Sequence, residues 1–292
     1  MATFPRRKPK SGQPLAKKAG RLARFSKYAR QPRIGADGAP MRSRGIYLLP
    51  NAFTTAALFC GFYAIVMAMG DHFERAAWAI FIAMVLDGLD GRIARLTNTQ
   101  SEFGAQYDSL SDMVSFGAAP SLVMYEWSLK GMGKLGWIAA FVYCAGAALR
   151  LARFNTNIAV VDKRFFQGLP SPAAAALVAG LILLMVDLEV PGADLKALSW
   201  GVTVFAGLTM VTNVPFYSFK DVNFHHRVPF IAVFLIALGL ALLAIDTAKV
   251  LWALFLFYGL SGYAVFFWRM AKGQSVSIVQ TEDESDDASE RD

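Results

Sequence analysis

The sequence predicts an all-α fold, a polytopic membrane helix bundle of about eight transmembrane helices. Three observations carry that prediction. Hydrophobic residues make up 55% of the 292-residue chain, and they recur in runs long enough to cross roughly 30 Å of hydrocarbon at about 1.5 Å per helical residue. The connections between runs are short, so neighbouring helices are expected to pack antiparallel. Lys and Arg concentrate in the tails and in alternate connections, and so gather on one side of the membrane.

Residues 1–45 hold 13 Lys and Arg against the single acid Asp37 and read as a basic, disordered cytoplasmic tail. It either fixes topology or touches anionic headgroups. A cleaved secretory signal fits poorly, because the lead is long and further spans follow. Residues 46–272 form the membrane-embedded domain, with spans near 50–69, 75–95, 102–126, 135–155, 170–188, 195–216, 228–246 and 249–270. Pro170, Pro172 and Pro229 fall near span starts, where a missing N–H costs little. Residues 273–292 read as an acidic, disordered cytoplasmic tail; its last eleven residues hold seven acids and one Arg. Cys60 and Cys144 lie in apolar helices and imply neither a disulfide nor a metal site.

An even number of spans puts both termini on one side. That side collects 24 of the basic residues and the other five, so the positive-inside rule places both tails at the cytoplasm; the membrane expected is a cytoplasmic (inner) one. Trp127, Trp137, Trp200 and Trp268 near span ends fit an interfacial belt.

Four aspartates interrupt this pattern. Asp87 and Asp90 stand three apart and Asp108 and Asp112 four apart, so each pair shares a helix face. A turn near 96–101 makes the two helices antiparallel, and four acids then meet at the cytoplasmic end. Carboxylates inside a membrane need partners, and Arg92 and Arg95 cannot neutralise four anions while also holding an anionic substrate. Divalent metal is the natural remedy. An all-oxygen set suits Mg²⁺ or Mn²⁺, and two such ions clamp the attacking and leaving oxygens in phosphoryl transfer. Gly88, Gly91, Ala94 and Gly104 beside the acids serve either tight helix packing or the wall of a phosphate pocket. Arg95 is suited to a phosphate, although cytoplasmic topology also explains it. Intramembrane acids also mark cation-coupled transporters, but no internal repeat and no matching broken helices are visible.

The run Asp87, Asp90, Gly91, Ala94, Arg95, Gly104, Asp108 and Asp112, at these spacings, resembles the complete signature of the CDP-alcohol phosphatidyltransferases. The resemblance implies attack of an alcohol hydroxyl on the lipid-linked phosphorus of CDP-diacylglycerol, with release of CMP. It implies two divalent metal ions held by Asp87, Asp90, Asp108 and Asp112, with Asp112 as general base, and a CDP pocket lined by Gly91, Ala94, Arg95 and Gly104. It further implies a homodimer and a six-helix core, to which the last two spans would be an addition. No nucleic-acid partner is implied.

"LPNAFTTAALFCGF" at 49–62, "SEFGAQYDSLSDMVSFGAAP" at 101–120 and "ALRLARFNT" with "FQGLPSPAAAA" across 148–176 resemble the phosphatidylserine synthase branch, which implies L-serine as acceptor. Serine carries a carboxylate that wants a fixed cation. Arg150 and Arg153, with Asn155 as a neutral donor, lie at the membrane level of the aspartates and are candidates, positive-inside bias being the alternative. A polyol phosphate acceptor, glycerol 3-phosphate or inositol phosphate, would also want arginines. Asn51 and Thr54 either bond the nucleotide or diphosphate or cap the first helix. His225 and His226 read as a solvated pair, and Lys163 and Arg164 as topology residues.

Overall fold

In hydrocarbon, backbone N–H and C=O groups must be satisfied within the segment, and apolar runs therefore fold as helices. The computed structural model describes residues 48–97, 99, 101–156, 165–217 and 230–272, and helices occupy each of the eight expected segments. The expectations for the two tails, for Lys163 and Arg164, for His225 and His226 and for Pro229 lie outside the described residues. Helix α1 (Leu48–Met69) turns through Gly70–His72 into α2 (Phe73–Thr97). Asp71 in that turn takes φ 60°, which a short polar side chain tolerates. Helix α3 (Glu102–Asp112) runs on through a π-helical stretch, Met113–Ala118, into α4 (Ala119–Trp127). Helices α5 (Lys134–Thr156), α6 (Ser171–Asp187), α7 (Lys196–Val211), α8 (Phe230–Ile245) and α9 (Thr247–Ala271) follow. Residues 50–69 of α1, together with α5 and α9, are long and apolar enough to cross a membrane, whereas α6 and α7 are shorter apolar helices. The all-α membrane architecture read from the sequence holds.

The sequence shows helix α6 as SPAAAALVAGLILLMVD, apolar on every side, and such a helix belongs in the interior. Every residue from Ala173 to Leu184 is buried. Around α6 stand α2, α4, α7 and α9. The outward faces stay apolar: Phe59, Phe62, Phe141, Phe257 and Phe267 are all exposed, as a hydrocarbon solvent permits.

The π-helical stretch has a local cause. Pro120 offers no N–H to the carbonyl of Phe116 four residues back. The neighbouring Ala119 N–H reaches five residues back to Val114, and the fully buried Tyr143 hydroxyl donates to the Phe116 carbonyl at 3.1 Å.

Two strands were not anticipated. β1 (Phe165–Gln167) pairs antiparallel with β2 (Pro215–Tyr217), in the register Phe165 to Tyr217 and Phe166 to Phe216. The span expected to run to 216 therefore ends as helix at Val211, because the residues before Pro215 are pushed toward extended backbone. Gly168, at φ +74°, then turns the chain so closely that a Cβ would lie 2.4 Å from the Met210 carbonyl oxygen.

Helices α5 and α7 cross through glycines. A Cβ on Gly207 would sit 2.7 Å from Tyr143 Cα, and one on Gly146 2.3 Å from the Gly207 carbonyl oxygen. Gly201, two turns earlier on α7, has nothing within 4 Å. Gly207→Ala is expected to lower stability by about 1–3 kcal/mol. Gly201→Ala should leave it unchanged or slightly raised, since Ala is the better helix former. Thermal unfolding midpoints in one detergent compare the two variants.

Candidate active site

Ser101 caps α3, its Oγ accepting from the Gly104 N–H at 3.0 Å, and so sets the phase of the helix that carries Asp108 and Asp112. Serines on one face of this rod fasten it to α1: Ser111 Oγ donates to the Thr54 carbonyl at 3.1 Å and Ser115 Oγ to the Ala57 carbonyl at 3.1 Å. Gly61 makes the second contact possible, since a Cβ there would lie 2.6 Å from Ser115 Oγ. With the 111/115 face against α1, the adjoining 108/112 face turns toward α2.

There the acids meet. Asp87, Asp90 and Asp108 each offer a carboxylate oxygen within 4.8 Å of the others, and the Asp112 carboxyl lies against that of Asp87 and within the electrostatic reach of Asp108. Thr54 Oγ1 donates to Asp90 Oδ2 at 2.8 Å, the shorter of its two contacts, and so orients that carboxylate from α1. Oδ1 of Asp108 and Oδ1 of Asp112 are buried without a hydrogen-bond partner, and among the described residues no Lys or Arg forms an ion pair with any of the four. Bare oxygens on crowded anions in a low-dielectric bundle are strongly unfavourable unless a cation completes the set. The donor chemistry therefore fits hard divalent cations, with Asp87, Asp90 and Asp108 as the tightest group.

Beside the acids opens a cleft of about 350 Å³. Asn51, Thr54, Gly91, Ala94, Arg95 and Gly104 all line it, together with Asp90 and Asp108. A Cβ on Gly104 would crowd the Ser101 cap at 3.1 Å and approach Asn51 Oδ1 at 3.6 Å. On Gly91 the nearest neighbour would be Arg95 Nη1, at 3.6 Å. Asn51 and Thr54 are not helix caps, since α1 begins upstream of both at Leu48.

The three residues considered for the acceptor separate. Arg150 is 9% exposed, donates through Nη1 to Ser171 Oγ at 2.9 Å, leaves Nε without a partner and interacts electrostatically with Asp112. Arg153 donates instead to Asn213 Oδ1 at 2.9 Å and to the carbonyls of Met210 and Thr212 at 3.1 and 3.3 Å, which caps the C-terminal end of α7. Asn155 Nδ2 donates to Ser109 Oγ at 2.9 Å and ties α5 to α3. Ser171 was not singled out by sequence reasoning. Its flanking Pro170 and Pro172, at the start of an otherwise apolar helix, were the available signal.

A family model described as CDP-alcohol phosphatidyltransferase matches residues 47–259, from the start of α1 into α9. The chain is 37% identical over 215 residues to a CDP-diacylglycerol–serine O-phosphatidyltransferase of Helicobacter pylori, covering 74% of this chain and 90% of that one. It is 32% identical over 185 residues to the enzyme of that name from Methanocaldococcus jannaschii, covering 63% and 82%. With the Saccharomyces cerevisiae enzyme of that name it shares 38% over 137 residues, covering 42% and 49%.

Thr54→Val keeps the shape of the side chain and removes the donor to Asp90 Oδ2. Mn²⁺ affinity, read by electron paramagnetic resonance on the purified protein, is expected to fall at least ten-fold, as the loss of a hydrogen bond to a metal-binding carboxylate generally causes.

Proposed function

The chain belongs to the CDP-alcohol phosphatidyltransferase family, and on that premise we propose that it transfers the phosphatidyl group of CDP-diacylglycerol to L-serine, giving phosphatidylserine and CMP. One observation carries the reading: of the three converging carboxylates of Asp87, Asp90 and Asp108, the last two line the cleft that collects Asn51, Thr54, Gly91, Ala94, Arg95 and Gly104. Family membership favours an enzyme over a cation-coupled transporter. The names of the relatives favour serine over glycerol 3-phosphate or inositol phosphate.

In this reading Asp87, Asp90, Asp108 and Asp112 hold two divalent ions, Mg²⁺ or Mn²⁺. When bound, the ions supply charge neutralisation on the pyrophosphate and on the leaving CMP. The chain's own residues do the rest. Arg95 meets the diphosphate, while Gly91, Ala94 and Gly104 let the nucleotide approach the helix backbones. Asp112 Oδ1, buried and unpartnered, accepts the proton of the serine hydroxyl as its oxygen bonds to the lipid-linked phosphorus and the bond from that phosphorus to CMP breaks. Arg150, with Nε uncommitted, receives the serine carboxylate, whereas Nη1 and Nη2 of Arg153 are engaged at and just beyond the end of α7. The reading includes a homodimer in a cytoplasmic membrane with both tails and the site at the cytoplasm, supported by the family resemblance and by 24 basic residues on that side against five.

CMP release by the purified protein, given CDP-diacylglycerol, Mg²⁺ or Mn²⁺ and one acceptor at a time, tests the proposal. Release is expected with L-serine and not with glycerol 3-phosphate or inositol phosphate, and EDTA should abolish it. Release with a polyol phosphate instead would move the protein to a sister activity. Asp112→Asn should lower turnover by about 10²–10⁴-fold, the range of a general base, while CDP-diacylglycerol binding changes far less. Substantial residual turnover would remove Asp112 from that role.

A further inference from the structure

We propose that Ser171 is a positioning residue of the acceptor site, holding Arg150 in the orientation that receives a carboxylate and thereby contributing to the choice of an amino-acid alcohol. The inference rests on the phosphatidylserine reading above and adds to it a residue from outside the aspartate motif and its cleft.

Four observations support it. Ser171 is fully buried, at the first turn of α6, and its hydroxyl oxygen accepts from Arg150 Nη1 at 2.9 Å. Among the described residues this is the one hydrogen bond of the Arg150 side chain, so a single contact sets the plane of a guanidinium that is itself 9% exposed. Nε of Arg150 is buried and unpartnered, which leaves a donor for a ligand oxygen. The groups that act electrostatically on this guanidinium include Asp112 in attraction, Arg153 in repulsion and Tyr258 in attraction, so Arg150 stands near the Asp112 end of the aspartate cluster.

The fold fixes Ser171 firmly. Pro170 and Pro172 restrict the backbone on either side, the Ala174 N–H donates to the Pro170 carbonyl at 2.9 Å, and the Leu169 N–H donates to the Thr209 carbonyl at 3.1 Å. The hydroxyl therefore sits on a helix buried from Ala173 to Leu184, whereas Arg150 is a long chain with many rotamers. A rigid acceptor on one helix selects the rotamer of a flexible cation on another. A carboxylate arriving at Nε then finds the donor already aimed, and an acceptor without a carboxylate gains nothing from it.

Steady-state kinetics on the full-length protein in detergent test this, with L-serine compared against serinol, which keeps the hydroxyl and amine but lacks the carboxylate. Ser171→Ala is expected to raise the apparent KM for serine about ten-fold and to reduce the preference for serine over serinol by a similar factor, with the KM for CDP-diacylglycerol unchanged. Ser171→Thr, which keeps the hydroxyl, should restore the preference. In an Arg150→Ala background Ser171→Ala should have no further effect on it, because both act through one contact. An unchanged serine preference in Ser171→Ala, or additive losses in the double variant, overturns the proposal. Should Ser171→Ala fail to fold, the decision passes to Ser171→Thr and Ser171→Cys: equal preference in the two overturns it, and loss in Cys alone supports it. If the wild-type protein uses another alcohol and not serine, the phosphatidylserine reading fails, and the role of Ser171 in serine choice falls with it; wild-type serine use with an indifferent Ser171→Ala sinks the positioning role alone.

Discussion

A carboxylate inside a membrane bundle is costly, and this chain places four of them within 26 residues on two adjacent helices. Much of the local architecture follows from holding those charges together without closing the space between them. The rod that carries Asp108 and Asp112 must lie close to α1 yet show its acidic face to α2. Small residues and serines achieve this, Gly61 admitting Ser115 while Ser111 and Ser115 donate to α1 carbonyls. Like-charged groups would otherwise drive α2 and α3 apart, so this attachment to a third helix stabilises an arrangement that the acids alone would oppose.

The bundle separates rigidity from reactivity. Helix α6 is buried along nearly its whole length and carries no ionisable side chain before Asp187, so it serves as a fixed axis. Around it several structural polar groups are satisfied while polar atoms near the aspartates are not. The Tyr143 hydroxyl meets the carbonyl that Pro120 leaves open, and the Arg153 guanidinium meets the carbonyls at the end of α7. By contrast, Asp108 Oδ1, Asp112 Oδ1 and Arg150 Nε stay unpartnered at one end of the bundle. Buried polar atoms without partners are rare in folded proteins, and three of the five among the described residues belong to Asp108, Asp112 and Arg150, as groups kept for ligands would.

Several features escaped the sequence for identifiable reasons. The π-helical stretch follows from one proline in an otherwise regular apolar run, and hydropathy does not register a change of hydrogen-bond spacing. The ribbon of Phe166 and Phe216 joins two three-residue segments about fifty residues apart, too short for any alternating pattern to show. Arg150 and Arg153 looked equivalent because both lie one turn apart at the same membrane level. Thr54 could be read as a cap or a ligand contact, and in the fold it lines the cleft while donating to Asp90.

What the sequence by itself determined is whatever the helix period and the membrane dictate locally: the positions of the helical segments, the sharing of a face by each aspartate pair, and the small residues interleaved with them. These depend on spacings of three and four residues, which covalent geometry transmits directly into three dimensions. The tertiary structure alone decided which donors remain available. The partners of Asp90, Arg150 and Arg153 include positions 36, 21 and 57 residues away on other helices. No periodicity within a single helix encodes such a pairing, because it depends on how the helices rotate against one another once their apolar and small-residue faces are packed.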